Sequence, residues 1–218
     1  NGSMTQDGQT RGEPDDEVAR AIMEHKQAER KQAYARRRAH RRSRTQAGER
    51  CAALLDGSAL LGGVRTAACY VSMGTEISTM PLLALFAQRG VRTLVPRLGS
   101  GAQIGWTAIG AGELRTLRHA EKPAHGTLRP DEPRGPVLEA SALGACDVIV
   151  LPALRVDRHG ARLGRGGGWY DRALAWRRAG VPLVAVCWPW EFADEPVPAL
   201  AHDVPVSAVL TPERLEVL

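Results

Sequence analysis

The sequence predicts an α/β protein: an open αβα three-layer sandwich with a mainly parallel, Rossmann-like sheet and a long basic N-terminal helix. Runs such as Cys146-Asp147-Val148-Ile149-Val150-Leu151-Pro152 are continuously apolar rather than alternating, as strands buried on both faces are. Such runs alternate along the chain with segments of helical composition. Residues 15–44 contain no proline and are dominated by Ala, Arg, Glu, Lys and Gln, which favour a single long helix.

The elements follow in order. After the long helix from about Asp15 to Arg44, a short one is expected over Ala47–Leu55. Ala67-Ala68-Cys69-Tyr70-Val71-Ser72-Met73 reads as a buried strand ended by Gly74. Thr79 stands at an N-cap position with Pro81 in the first turn, and Leu82, Leu83, Leu85 and Phe86 make an apolar helix closed by Gly90. Val91–Val95 completes a β-α-β unit. Gln103–Ile109 adds a strand with Trp106 facing the core, and the stretch from Arg115 to Pro136, rich in proline, glycine and charge, reads as a surface excursion. The strand ending at Leu151 leads into a glycine-rich loop, a helix from about Gly168 to Ala179, a strand at Val181–Val186 and a last strand at Val204–Leu210.

The chain of 218 residues with 44% hydrophobic composition fits one domain, taken as residues 18–218. Asn1-Gly2-Ser3 ahead of Met4 reads as a cloning scar, and the polar run to residue 17 as a disordered tail. No segment approaches the roughly 20 apolar residues of a membrane span, so a soluble, cytoplasmic protein is expected. Cys51, Cys69, Cys146 and Cys187 form no C-x-x-C pair, which argues against zinc and for buried free thiols. The net charge of +5 is local: residues 26–44 carry nine Lys or Arg against one Glu, leaving the remainder net acidic. A nucleic-acid surface on the basic helix is therefore one alternative, although Tyr34 is the sole aromatic there.

The segment Arg162-Leu163-Gly164-Arg165-Gly166-Gly167-Gly168-Trp169-Tyr170-Asp171 carries the chemistry. Its glycines let backbone N–H groups line a concavity, and Arg162 and Arg165 offer forked donors to phosphate oxygens. A carboxylate beside a polyphosphate repels it unless a divalent cation intervenes, so Asp171 points to Mg²⁺ and a nucleotide. The segment matches neither G-x-x-x-x-G-K-[ST] nor G-x-G-x-x-G. Plainer readings stand beside these: a solvated turn, Asp171 as a first-turn carboxylate, Trp169 as a core aromatic.

From Leu151 to Asp171 the chain resembles the signature P-G-L-x-F-D-x-x-G-x-R-L-G-R-G-x-G-Y-Y-D of the 5-formyltetrahydrofolate cyclo-ligase (methenyltetrahydrofolate synthetase) family. Ser72–Thr79 is similar to that family's S-x-x-x-E-I-x-T segment and Val95-Pro96-Arg97 to its I/V-P-K/R segment. The resemblance implies an ATP- and Mg²⁺-dependent enzyme, a monomer, that closes 5-formyltetrahydrofolate to 5,10-methenyltetrahydrofolate. It implies ATP contacts from Lys26, Arg30, Arg162, Leu163, Gly164, Arg165, Gly166, Gly167, Gly168, Trp169 and Tyr170, with Arg165, Arg162 and Lys26 catalytic. Folate contacts fall on Val71, Glu76, Trp169 and Tyr170, and metal carboxylates on Asp171 and Asp203. Lys31 offers a competing register for the N-terminal pair. Trp169, Ala153, Val156 and Arg129 depart from the family pattern, which keeps a non-cyclising nucleotide or folate binder as a further alternative.

Overall fold

The computed structural model describes residues 13–97, 103–114, 133, 135–199 and 203–218. The proline-rich stretch from Arg115, including Gly126–Pro130, lies almost wholly outside the described residues. In chain order the elements are α1 (Glu13–Arg38), α2 (Arg44–Asp56), β1 (Thr66–Cys69), α3 (Met80–Gln88), β2 (Arg92–Arg97), β3 (Gly105–Ile109), β4 (Leu138–Glu139), β5 (Val148–Pro152), β6 (Arg155–Asp157), β7 (Arg162–Leu163), α4 (Trp169–Ala173), β8 (Leu183–Val186), β9 (Phe192–Ala193), β10 (Ala208–Leu210) and β11 (Leu215–Val217).

The main sheet has the order β11-β10-β8-β5-β1-β2-β3-β4. Strands β10, β8, β5, β1 and β2 run parallel, while β3, β4 and β11 add antiparallel edges. Side chains along β5 alternate between two cores. Val148 and Val150 pack with α2 and α3, whereas Ile149 and Leu151 pack with Ala173, Leu174 and Trp106 on the opposite face. Burial on both faces is why the strand reads as an unbroken apolar run, and Trp106 is 1% exposed, as expected. A three-stranded sheet, β7-β6-β9, sits beside the main one.

Several boundaries differ from expectation. Helix α1 begins at Glu13, ahead of both the tail boundary at 17 and the start near Asp15, and it ends at Arg38 rather than Arg44. The chain then turns through a 3₁₀ segment, Arg41–Ser43, into α2. Strand β1 stops at Cys69 because the next polar groups find another partner. The Thr79 hydroxyl donates to the Tyr70 carbonyl at 2.8 Å and accepts from Ser72 N–H at 2.9 Å. Thr79 thus stitches the β1–α3 loop and does not cap α3 with its side chain. Pro81 does occupy the first turn of α3. The helix expected to reach Ala179 ends at Ala173, where the chain tightens into a 3₁₀ turn (Leu174–Trp176) and becomes extended at Arg177, whose Nη1 donates to the Leu174 carbonyl. The last strand, expected from Val204, begins at Ala208, and ahead of it Val206 N–H is taken by the Gly160 carbonyl at 2.9 Å.

No helix among the described residues is long and apolar enough to cross a membrane. The cysteines are free and buried, and burial pushes the Cys51 thiol up to about 12.

Candidate active site

From β1 the chain goes to β2 on one side, whereas β5, β8 and β10 build the other side. The sheet therefore reverses its winding between β1 and β5, where open parallel sheets form a crevice beyond their carboxyl ends. A cavity of about 450 Å³ lies there, lined by Tyr70, Val71, Met73 and Glu76 after β1, Pro96 on β2, Pro152 on β5 and the loop from Arg162 to Asp171.

One buried carboxylate shapes the approach to that loop. Asp157, 2% exposed, accepts from His159 N–H and Ala161 N–H through Oδ1 and from Val197 N–H through Oδ2. The resulting turn needs glycine at position 160, where φ is +81° and a Cβ would stand 2.2 Å from the Val206 carbonyl oxygen. Beyond β7, Gly166 and Gly168 also adopt positive φ, at 97° and 62°. Gly164, Gly166, Gly167 and Gly168 all line the cavity, whereas the Leu163 side chain turns inward against Leu154 and Val197.

Helix α1 closes the loop from outside. Lys26 Nζ pairs with Asp203 Oδ2 at 2.6 Å, and Arg30 Nε donates to the Gly164 carbonyl at 2.8 Å. A Cβ at Gly166 would lie 3.1 Å from the Arg30 guanidinium carbon. Lys31 is exposed. With Lys26, Arg30 and Arg37 turned inward, the basic stretch is not a uniform cationic surface.

Arg162 Nη2 pairs with Asp171 Oδ1 at 2.7 Å, and among the described residues nothing bonds Asp171 Oδ2. Arg165 Nη1 stands 3.5 Å from Glu76 Oε1. Glu76 is 5% exposed, not a solvated loop residue, and its Oε2 accepts Met73 N–H at 2.7 Å. Burial pushes its pKa up, opposed first by Arg165, then by the Met73 hydrogen bond and by Arg37 and Arg44. Arg44 braces it further, donating from Nε to the Glu76 carbonyl at 2.5 Å. Val71 is 7% exposed at the same wall.

Trp169 belongs both to the core and to the cavity wall. Its ring packs edge-on against Trp106, with centroids 5.1 Å apart, and also lines the cavity. Tyr170 Oη, Trp169 Nε1 and Arg162 Nε are buried without a hydrogen-bond partner among the described residues. Three cavity residues thus hold donors uncommitted to the fold. Trp188 and Trp190 stack on each other at 7° beside His40, outside the cavity.

For magnesium, no group of three His, Cys, Asp or Glu side chains stands together among the described residues. Magnesium held between substrate phosphates needs only one or two carboxylates from the protein. Asp171, on the cavity wall with an uncommitted oxygen, fits that demand. Asp203 is engaged by Lys26 and is not among the lining residues.

Tyr70 and Met73 also line the cavity, and sequence reasoning missed them. The available signal was their place just past β1, on either side of Val71. Arg37 and Arg44 were likewise missed, being indistinguishable by type from their basic neighbours.

A model of the 5-formyltetrahydrofolate cyclo-ligase family matches residues 22–212, which include every site residue above. A 5-formyltetrahydrofolate cyclo-ligase of Mycolicibacterium smegmatis is 39% identical over 155 residues, covering 69% of this chain and 75% of that one. The enzyme of the same name from Escherichia coli K12 is 29% identical over 153 residues, covering 69% of this chain and 79% of that one. The NMR structure of Aquifex aeolicus 5,10-methenyltetrahydrofolate synthetase shares the fold with a TM-score of 0.66 at 22% identity, over 88% of this chain and 92% of that one.

Proposed function

Because this chain belongs to the 5-formyltetrahydrofolate cyclo-ligase family, we propose that it closes 5-formyltetrahydrofolate into 5,10-methenyltetrahydrofolate at the β1–β5 crevice, with cleavage of ATP to ADP and phosphate. The observation that carries this reading is the convergence of two unlike surfaces on one cavity. An apolar and carboxylate wall (Val71, Glu76, Tyr170) faces a glycine and arginine loop (Arg162–Gly168). The first suits a pterin, whose amide and amino edge donates to a carboxylate. The second suits a triphosphate.

A formamide oxygen is a poor leaving group. Attack of the formyl oxygen on the γ-phosphorus, with ADP departing, turns it into a phosphate ester. The folate N10 then adds to the formyl carbon, its proton is lost and the C–O bond breaks to release phosphate. The protein's task is positioning and charge neutralisation. Arg165 and Arg162 take phosphate charge, and Lys26 with Arg30 reaches the nucleotide from α1. Glu76 orients the pterin, and Tyr170 with Trp169 walls it. Magnesium held by Asp171, with Asp203 as second carboxylate, would neutralise phosphate oxygens. Arg162 and Lys26 each stand on one of these carboxylates, so nucleotide binding would repartition both ion pairs.

The test is the ultraviolet absorbance of the conjugated methenyl product after mixing the protein with 5-formyltetrahydrofolate and MgATP. A rise that needs ATP and disappears in Asp171→Ala supports the reading. No rise with folded, ATP-binding protein overturns it in favour of a binder.

A further inference from the structure

Helix α1 is seated by cations rather than by an apolar stripe. Among its described side chains the buried ones are Lys26 and Arg37, at 8% and 3% exposure. Of its apolar side chains, Ala33 and Tyr34 pack against Leu154, Leu163 and Val197, Ala19 and Ile22 are half-buried, and Glu29 adds an ion pair with Arg155. Lys26, Arg30 and Arg37 fall at i, i+4 and i+11, spacings that return to one side of an α-helix.

Lys26 and Arg30 meet Asp203 and the Gly164 carbonyl, but Arg37 touches no part of the glycine loop. Its Nε and Nη2 hold the two carboxylate oxygens of Glu191 at 2.6 and 2.7 Å, and Nη2 also donates to the Ala153 carbonyl at 2.5 Å. Ala153 directly follows β5 at the start of the segment that leads to the glycine loop. Glu191 sits in the turn after β8 and accepts Trp188 N–H at 2.9 Å. One guanidinium therefore ties α1 to the carboxyl ends of two adjacent central strands. Burial works against its charge, yet the hydrogen-bonded carboxylate of Glu191 prevails and holds the Arg37 pKa above its ordinary value.

We propose that Arg37 is a positioning residue for nucleotide binding, fixing the seat of α1 and so the places of Lys26 and Arg30 over the glycine loop. The inference rests on reading that loop as the ATP site. A buried ion pair is a poor source of stability beside apolar packing of equal volume. What a forked guanidinium–carboxylate pair adds is direction. A helix without an apolar stripe needs that direction, because a slip of one turn, about 5.4 Å, would carry Lys26 off Asp203.

Arg37→Lys is the decisive variant. It keeps the charge felt by Glu76 and loses the planar fork. In the full chain, calorimetric titration with MgATP alone and with 5-formyltetrahydrofolate alone gives two affinities, and hydrogen exchange reports on residues 26–30. The expected result is ATP binding weakened about tenfold or more, in the range a small misplacement of contacts produces, with folate affinity nearly unchanged and faster exchange in α1. ATP affinity unchanged, or both affinities lowered together alongside the melting temperature, would overturn the proposal and leave Arg37 a structural residue. Should Arg37→Lys fail to fold, Glu191→Gln carries the same comparison, since it keeps one acceptor and removes the charge partner. Wild-type protein that binds ATP without turning over folate sinks the cyclo-ligase reading alone. Wild-type turnover with unaltered ATP affinity in the variants sinks the positioning role alone.

Discussion

Arg165 and Glu76 form one pair in the cavity wall, Nη1 to Oε1 at 3.5 Å, which joins the residue proposed for phosphate to the residue proposed for pterin. Replacing Arg165 with Ala should lower kcat about 10²–10³-fold, as loss of a donor aimed at developing charge does. It should also raise the pKa of Glu76, because Arg165 is the largest influence opposing burial there. The acid limb of kcat/KM for folate then moves to higher pH. Full loss of rate with an unmoved acid limb would mean that the two residues are not coupled in solution.

Glu76 makes a separate prediction about stability. Its folded pKa lies above the unfolded one, so between the two the native state retains a proton that the unfolded chain has released, and stability falls as pH rises through that window. Gln at this position carries no such penalty and can still accept from Met73 N–H. Chemical denaturation of both proteins from acid to neutral pH should show Glu76→Gln gaining on wild type as pH climbs past the ordinary glutamate pKa of about 4.3. Glu191, also shifted upward by burial, is raised in part by Glu76 itself, so the substitution relieves both carboxylates and the two changes act in the same direction. Parallel stability curves would refute the assignment.

Two glycines in the same segment should behave in opposite ways. Gly160→Ala brings a Cβ within 2.2 Å of the Val206 carbonyl oxygen at a φ of +81°, so it should lose at least about 1–3 kcal/mol of stability. A Cβ at Gly167 meets nothing within 4 Å, so Gly167→Ala should melt with wild type. If a phosphate approaches the backbone there, the same variant weakens ATP binding without unfolding anything. Equal melting temperatures with equal ATP affinity would place the phosphates elsewhere.

The sequence made some of this legible for physical reasons. Val148–Leu151 could be read as a central strand because both faces are buried, and Pro81 marked a helix start because its missing N–H costs nothing in a first turn. The glycine loop was legible because positive φ and close backbone approach restrict residue choice. The place of the break between α1 and α2 was not, since Arg38 to Arg44 holds neither glycine nor proline. Nor was the small sheet of β6, β7 and β9, whose strands of two or three residues owe their pairing to Asp157 and to Phe192, far along the chain. Arg37 could not be told from Arg36 and Arg38 by type. Its helical phase relative to Lys26 and Arg30 was the one signal available. The shortened β1 turns on a single hydroxyl, that of Thr79, which also reads as an ordinary cap.

Tyr170 gives the most economical probe of the proposed pterin wall. Its phenol is buried with no hydrogen-bond partner among the described residues, and burial, reinforced by Cys69 and Glu76 and opposed by Arg162, drives its pKa well above the ordinary value. The group is therefore a neutral donor throughout the working pH range. An unsatisfied buried hydroxyl costs about 1–3 kcal/mol, so Tyr170→Phe should be at least as stable as wild type. If the hydroxyl meets bound folate equally in ground and transition states, the variant raises KM for folate and leaves kcat in place. A clear loss of stability would show that the hydroxyl serves the fold. Unchanged KM would remove Tyr170 Oη from the substrate wall and leave only its ring there.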